Sequence, residues 1–97
     1  MLLENANYDY VDYLEKRLAA AQGEKKIVRT ELQLELAAAR LLREKNYHAI
    51  SVDLIAATAG VAHGTFYRYF AAKRDVVAKT IADYFMFVRA SRRPIPR

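Results

Sequence analysis

Residues 51–73 read SVDLIAATAGVAHGTFYRYFAAK, and this stretch predicts two short helices joined by a tight turn. Ser51 is a residue type that caps helix N-termini, and Gly60 can adopt the positive φ at which helices commonly stop. A second helix is predicted from His63 to Tyr69. Two short helices with a Gly-containing turn between them are typical of the helix-turn-helix, whose second helix enters the DNA major groove. The stretch therefore predicts binding to double-stranded DNA.

Helical spacing of apolar residues continues on both sides of this stretch. Upstream, a long helix is predicted from Lys26 to Lys45, and Asn46 follows it as a left-handed cap. The apolar stripe of this helix is Leu34, Ala37, Ala38, Leu41 and Leu42. Downstream, a helix from Lys73 to Ala90 carries the stripe Val76, Val77, Ile81, Phe85 and Val88. Gly and Pro are scarce, so the sequence predicts an all-α fold, a small homeodomain-like bundle around the helix-turn-helix.

An amphipathic helix is predicted ahead of this bundle, from Tyr8 to Gln22, with Gly23 ending it. Its apolar residues recur at three-to-four-residue spacing and are Val11, Leu14, Leu18 and Ala21. Its apolar area, enlarged by the tyrosines at positions 8, 10 and 13, suits either pairing with the same helix of a second chain or packing on its own bundle. The predicted organisation is an N-terminal helical extension (1–24), the DNA-binding domain (25–90), and a basic tail or the start of a further domain (91–97).

The composition is that of one small globular domain, and most of its positive charge lies in one part of the chain. The chain has 97 residues, of which 54% are hydrophobic and 28% charged, and its net charge is +5. Residues 1–24 carry a net −3 and residues 25–97 a net +8. A basic domain suits the phosphate backbone of DNA, although a solvated basic surface without a partner is an equally good interpretation of charge alone.

Several other classes of protein are disfavoured by the sequence. The chain has no Cys, which excludes disulfides, Cys-based zinc fingers and a thiol nucleophile. It has no apolar run of the ~20 residues that a membrane span needs and no secretory leader, so a cytoplasmic, nucleoid-associated protein without a membrane partner is expected. Its only histidines are His48 and His63, and no carboxylate pair or Gly-rich phosphate loop stands out. No catalytic residue, metal site or cofactor is therefore predicted, and an enzyme is the weakest hypothesis.

A set of residues with a recognisable pattern of residue type and spacing extends from the long helix to the start of the last one. They are Ala37, Ala38, Tyr47, Ser51, Val52, Ile55, Ala56, Ala59, Gly60, Val61, Gly64, Thr65, Phe66, Tyr67, Arg68, Tyr69, Phe70, Lys73, Asp75 and Val76. In this pattern the segment from about Lys25 to Ala90 resembles the DNA-binding domain of TetR-family transcriptional regulators. The resemblance implies sequence-specific DNA binding, usually for repression.

The resemblance also implies a set of DNA-binding positions: Ser51, Ala62, His63, Gly64, Thr65, Tyr67, Arg68, Tyr69 and Lys73. Base reading is expected from the variable positions of the second helix, which are occupied by His63, Thr65 and Arg68. Phosphate contacts are expected from Tyr67 and Lys73.

Four of these positions have two interpretations each. Lys73 either contacts phosphate or is a solvated surface lysine. Ser51 either caps its helix and contacts phosphate or only caps it. Tyr69 either contacts phosphate or packs. Gly64 is small either because the backbone approaches DNA there or because two helices lie close together.

Three departures from the family pattern stand out. Ala62 stands where the family commonly has Ser or Thr, so the second helix is expected to lack an N-cap and a phosphate-binding hydroxyl. Leu54 replaces a polar residue, which indicates an added apolar contact, with the N-terminal helix as one candidate. Family members also continue into a helical domain that binds a small effector and forms the homodimer. The chain is thus expected to be a fragment of such a regulator or a naturally short protein, and a helical protein-interaction module without DNA specificity is the alternative function.

Overall fold

A computed structural model describes residues 2–91, with side chains over residues 10–90. The side chain of Tyr8 and residues 92–97 of the tail predicted at 91–97 lie outside the described residues. Helix α1 spans Leu2–Ala20 and continues as a 3-10 turn at Ala21–Gly23. The remaining helices are α2 (Lys26–Glu44), α3 (Val52–Ala59), α4 (His63–Phe66) and α5 (Lys73–Ser91), with a second 3-10 turn at Tyr47–Ala49. Residues 2–91 contain no strand, which confirms the all-α prediction.

Helix α2 is buried on two sides. The predicted stripe faces α3, α4 and α5, and its core partners are Ile50, Ile55, Phe66, Phe70, Val76 and Val77. Leu42, which was predicted to belong to this stripe, is only partly buried. A second apolar stripe, not predicted, faces α1 and consists of Leu32, Leu36 and Ala39. Two separate cores therefore share this one helix, because its buried residues run without interruption from 34 to 39.

Helix α1 covers the second face of α2 in the same chain. The predicted apolar stripe is confirmed, since Val11, Leu14 and Ala21 are buried and Leu18 is half-buried. Tyr10 is 1% exposed, and its ring lies 5.5 Å from that of Tyr84 and 5.4 Å from that of Phe87. Of the two interpretations of the leader, packing on its own bundle is the one that the structure supports.

The predicted cap at Asn46 is wrong, and Leu54 has a different partner from the candidate named. Asn46 has a φ of −80° and an extended conformation instead of a left-handed one, and its Oδ1 accepts a hydrogen bond from the Ala49 N–H at 3.1 Å. It therefore begins the second 3-10 turn and does not cap α2. Leu54 makes the added apolar contact that the sequence indicated, but with the core that contains Phe66 and not with α1, which packs on the other core.

The predicted stripe of α5 is correct only in its first turns. Val76 and Val77 are buried, whereas Ile81 is 44% and Phe85 59% exposed. Further along the helix, the side chains that pack toward α1 are Tyr84 and Phe87. The buried side of α5 thus shifts around the helix, because its beginning packs on the helix-turn-helix and its end packs on α1.

A buried polar cluster joins α1, α2 and α5. Glu35 is 2% exposed and accepts a hydrogen bond from the Tyr10 hydroxyl at 2.9 Å. It also shares a hydrogen bond with Asp83, which accepts one from Lys79 Nζ at 3.2 Å. Burial, together with the bond and the charge of Asp83, raises the pKa of Glu35 to about 7, while the bond from Glu35 holds the pKa of Asp83 below its ordinary value. The proton on Glu35 is thus part of the fold near neutral pH.

The left-handed conformation of Gly60 generates a prediction about stability. Its φ is 77°, the only positive φ among the described residues, so a side chain there would be strained. We expect Gly60→Ala to lower the free energy of unfolding in urea by about 1–2 kcal/mol. Gly64→Ala is the matched control, since a Cβ at Gly64 would meet no atom within 4 Å. Equal stability of the two variants would contradict the role given to Gly60.

The buried carboxyl of Glu35 predicts a pH dependence of stability. Its pKa of about 7 lies above the ordinary value of 4.5, so the folded chain binds this proton more tightly than the unfolded chain. The stabilisation is complete below about pH 4.5 and is lost as the pH rises through 7. We expect the free energy of unfolding to fall by about 2 kcal/mol between about pH 5 and 8. Denaturant titrations across this range will measure the change.

Glu35→Gln keeps a neutral side chain of the same size and should remove most of this fall. Glu24→Gln, which changes an exposed acid beside the first 3-10 turn, should keep it. A pH profile that is unchanged by Glu35→Gln would show that the proton is bound elsewhere.

Candidate nucleic-acid interface

Helix α3 begins and ends with the residues that the sequence indicated. The Ser51 Oγ accepts a hydrogen bond from the Leu54 N–H at 3.0 Å, which confirms the predicted N-cap. At the other end, the Gly60 N–H donates to Ala57 O at 3.1 Å and the Val61 N–H donates to Ala56 O at 3.0 Å. This pair of bonds is the Schellman arrangement, which needs a left-handed residue at Gly60. The turn after α3 is thus set by local backbone bonds.

Helix α4 is shorter than predicted. It ends at Phe66 rather than at Tyr69, and residues 67–69 continue as a turn. The Arg68 N–H donates to Thr65 O at 3.0 Å and the Tyr69 N–H to Phe66 O at 2.9 Å, so the bonds are of the tighter i to i−3 type. Ala62 precedes the helix without a side-chain cap, as predicted. Residues 67–69 therefore keep a nearly helical backbone conformation and lead the chain toward α5.

Two buried rings hold this short helix against the core. Phe66 is 0% and Phe70 7% exposed, and their ring centroids are 5.7 Å apart. Three side chains of the same segment are exposed: His63, Tyr67 and Arg68. Because consecutive positions of a helical turn point in different directions, burial of the two Phe rings determines the direction of the exposed ones. The direction of the candidate DNA-reading side chains therefore depends on the core.

His63 is held by a partner that the sequence analysis missed. Its Nδ1 pairs with the Asp53 carboxylate, and both side chains are mostly exposed. Its ring also lies 5.3 Å from the ring of Tyr67. The pair connects the first turn of α3 with the start of α4 and leaves Nε2 as the ring nitrogen for an outside ligand. Nothing in the sequence signalled the distance between Asp53 and His63.

Lys73 is also held in place. Its Nζ donates a hydrogen bond to Tyr47 O at 3.1 Å and lies 4.0 Å from the centre of the Tyr47 ring. These contacts orient the ammonium group at the start of α5, beside the 3-10 turn that precedes Ser51. Tyr47 matched the family pattern without a role, and this contact gives it one.

The remaining predicted positions lie on the side of α4 that faces the start of α2. Thr65, Arg68 and Tyr69 line a groove of about 360 Å³ together with Lys26, Ile27 and Thr30 of α2. Lys26 is exposed, and the sequence did not predict that it lies at this site. The signal that could have suggested it is a basic residue at the start of a helix. Tyr69 is half-buried and packs against the core.

The space around Gly64 bears on the two interpretations of its small size. Since a Cβ there would meet no atom within 4 Å, close packing of two helices does not explain this glycine.

Five of the nine predicted positions thus form two groups. One group joins His63 to Tyr67, and the other joins Thr65, Arg68 and Tyr69 along the groove. Ser51 stands apart, and Lys73 is joined to Tyr47. The side chains described, 10–90, include no cluster of three or more His, Cys, Asp or Glu residues suited to a metal ion. Among helices α1–α5 as described, none is long and apolar enough to cross a membrane.

The comparison with protein families matches this part of the chain. Residues 36–80 fit the family described as bacterial regulatory proteins, tetR family. The match starts within α2, includes all of α3, the Gly60 turn and α4, and ends within α5. No curated protein and no solved structure was found to match the chain. The matched region contains the two buried rings, Phe66 and Phe70. It also contains the exposed candidate side chains His63, Tyr67 and Arg68. Residues 36–80 therefore belong to the tetR family of bacterial regulatory proteins, as its DNA-binding helix-turn-helix.

Proposed function

We propose that the chain binds a specific double-stranded DNA operator through α4 and acts as the DNA-binding part of a transcriptional repressor. The observation that carries the proposal is the arrangement of α4. Phe66 and Phe70 are buried, while His63, Tyr67 and Arg68 project from the same short segment into solvent. A helix that is anchored on one side and polar on the other suits insertion into the major groove.

Base reading is assigned to Arg68, Thr65 and His63. The Arg68 guanidinium can donate two hydrogen bonds to O6 and N7 of guanine. For His63, the pair with Asp53 leaves Nε2 to face a base edge or a phosphate. Gly64, which meets no packing atom, lets the α4 backbone approach the DNA closely. Ala62 contributes only its backbone at this end of the helix.

Phosphate contacts are assigned to Tyr67, Lys73 and Ser51. The Tyr67 side chain is 50% exposed, which leaves its hydroxyl free to donate to a phosphate oxygen. Lys73 is oriented by Tyr47, so less side-chain entropy is lost when it meets the backbone. The excess of bases over residues 25–97 adds a sequence-independent attraction that weakens as salt rises. Tyr69, which packs on the core, is assigned a supporting phosphate contact.

Regulation is assigned to a full-length parent protein. A homodimer would engage two half-sites of a symmetric operator, and a small-molecule effector would be bound by a further domain that such a regulator carries. Action on chromosomal DNA would place the protein in the bacterial cytoplasm.

The first experiment is selection of bound duplexes from a random DNA pool. We expect an enriched motif for the natural chain and its loss when Tyr67→Ala and Arg68→Ala are combined, because base reading and its adjacent phosphate contact are removed together. The matched control combines Tyr13→Ala with Arg17→Ala, which removes the same residue types from α1 and should keep the motif. An absent motif would favour the protein-interaction module without DNA specificity. A motif that survives the loss of Tyr67 and Arg68 would contradict base reading by this segment.

Lys73 gives a second prediction, measured as affinity against salt concentration. We expect Lys73→Gln to weaken binding to all duplexes about equally and to lower the slope of log affinity against log salt by about 1, since one phosphate contact is lost. Lys16→Gln removes the same charge from α1 and should leave the slope unchanged. An unchanged slope for Lys73→Gln would show that this lysine only supports Tyr47.

A further inference from the structure

Helix α1 is held by a core of its own. No residue belongs to both cores of the described chain, so α1 can leave α2 without disturbing the contacts of Phe66 in the helix-turn-helix core. Residues 22–25, which connect α1 to α2, are exposed. A cavity of about 520 Å³ adjoins Tyr10 between α2 and α5, so the packing around α1 is incomplete. An element that packs on a separate core can open locally while the rest of the chain stays folded.

The core under α1 contains two carboxyl groups and one lysine. Glu35 of α2 is 2% exposed, and the Tyr10 hydroxyl of α1 donates to it at 2.9 Å. Glu35 also shares a hydrogen bond with Asp83 of α5. Lys79 Nζ lies 4.0 Å from Glu35 Oε1 and 3.2 Å from Asp83 Oδ2. Because two charged carboxylates in contact and away from water repel each other, this arrangement holds one proton between them.

Groups on all three helices face Glu35 or its neighbours. The charged and titratable ones are Tyr10, Arg17, Glu31, Lys79 and Asp83. Burial, together with the charge of Glu35, raises the pKa of Tyr10, so its hydroxyl keeps its proton. The bond from Glu35 holds the pKa of Asp83 below its ordinary value, so Asp83 stays charged near neutral pH. Glu35 is therefore the member of this cluster that loses its proton as the pH rises through 7.

We propose that α1 is a proton-dependent cover, which stays docked while Glu35 and Asp83 share a proton and is released from a still folded helix-turn-helix when that proton leaves. Release lets water reach both carboxylates and uncovers the apolar side of α2, which carries Leu32, Leu36 and Ala39.

The sign of the effect follows from the cause of the shift. Burial is the largest cause that raises the pKa of Glu35 from 4.5 to about 7, and release of α1 removes that burial. The contribution of this proton to docking is therefore complete below about pH 4.5 and is lost as the pH rises through 7. The proposal does not depend on DNA binding, and its tests contain no DNA.

Amide hydrogen exchange of the natural chain tests whether α1 opens by itself. We expect the amides of residues 11–20 in α1 to be less protected than those of residues 34–39 in α2 at every pH. After correction for the intrinsic rate, protection of the α1 amides should fall about 30-fold between about pH 5 and 8. Equal protection of the two segments, or protection of α1 that does not change with pH, would overturn the proposal.

Two adjacent alanines of α2 give a matched pair of probes, since the chain has no Cys. Ala39 is 3% exposed in the core under α1, and Ala38 is 0% exposed in the helix-turn-helix core. We expect a maleimide to label Ala39→Cys at least about tenfold faster than Ala38→Cys at pH 8, because release of α1 uncovers only the first thiol. Circular dichroism checks that both variants keep the natural helix content. Equal rates, or faster labelling of Ala38→Cys, would show that α1 does not leave before the rest of the fold opens.

Substitution of Glu35 tests whether its proton controls the release. Labelling of Ala39→Cys, divided by the rate of a free thiol at the same pH, should rise about 30-fold between about pH 5 and 8. Addition of Glu35→Gln, which keeps a neutral side chain of the same size, should remove most of this rise. Addition of Glu44→Gln, which changes an exposed acid of the same helix, should keep it. A rise that persists with Glu35→Gln would overturn the role of this proton.

Discussion

The whole structure depends on the burial of α2 on two sides. Its residues 34–39 are buried without interruption, which an isolated amphipathic helix cannot achieve. Leu34, Ala37 and Ala38 form one core with the helix-turn-helix, while Leu36 and Ala39 form the other core with α1. Small side chains at 37–39 allow close approach from both directions. Because both cores use one helix, the direction of α3 and α4 and the position of α1 are set by a common support.

A four-residue helix has little stability of its own, so the candidate DNA-reading surface owes its shape to its surroundings. The Schellman bonds around Gly60 set the turn, and the Phe66 and Phe70 rings hold α4 on the core. Two exposed polar contacts then orient individual side chains: Asp53 holds His63, and Tyr47 holds Lys73. Each of these contacts joins separate elements. Each also restricts the conformations of a side chain before DNA binds, so less conformational entropy would be lost on binding.

Helix α5 connects the different parts of the molecule. Its first turn places Lys73 at the proposed DNA surface, its next turns complete the helix-turn-helix core, and its later turns contact α1 near the Glu35 cluster. The outer side of the same helix carries Ile81, Phe85 and Met86, which the described residues leave exposed. The proposed DNA contact, the helix-turn-helix core and the contact with α1 thus share one continuous helix.

Much of the fold could be predicted from local residue chemistry. Ser51 and Gly60 begin and end α3 because a cap and a left-handed turn are properties of neighbouring backbone groups. The helices, the first stripe of α2 and the exposed α4 side chains also follow from spacing along the chain. Contacts between distant residues could not be predicted in this way. Tertiary packing decided that Tyr84 and Phe87, and not Ile81 and Phe85, face the interior, because α1 rather than the periodicity of α5 determines which side is covered. The same holds for the pair of Asp53 with His63, whose separation depends on how two helices meet and not on the residues within either of them.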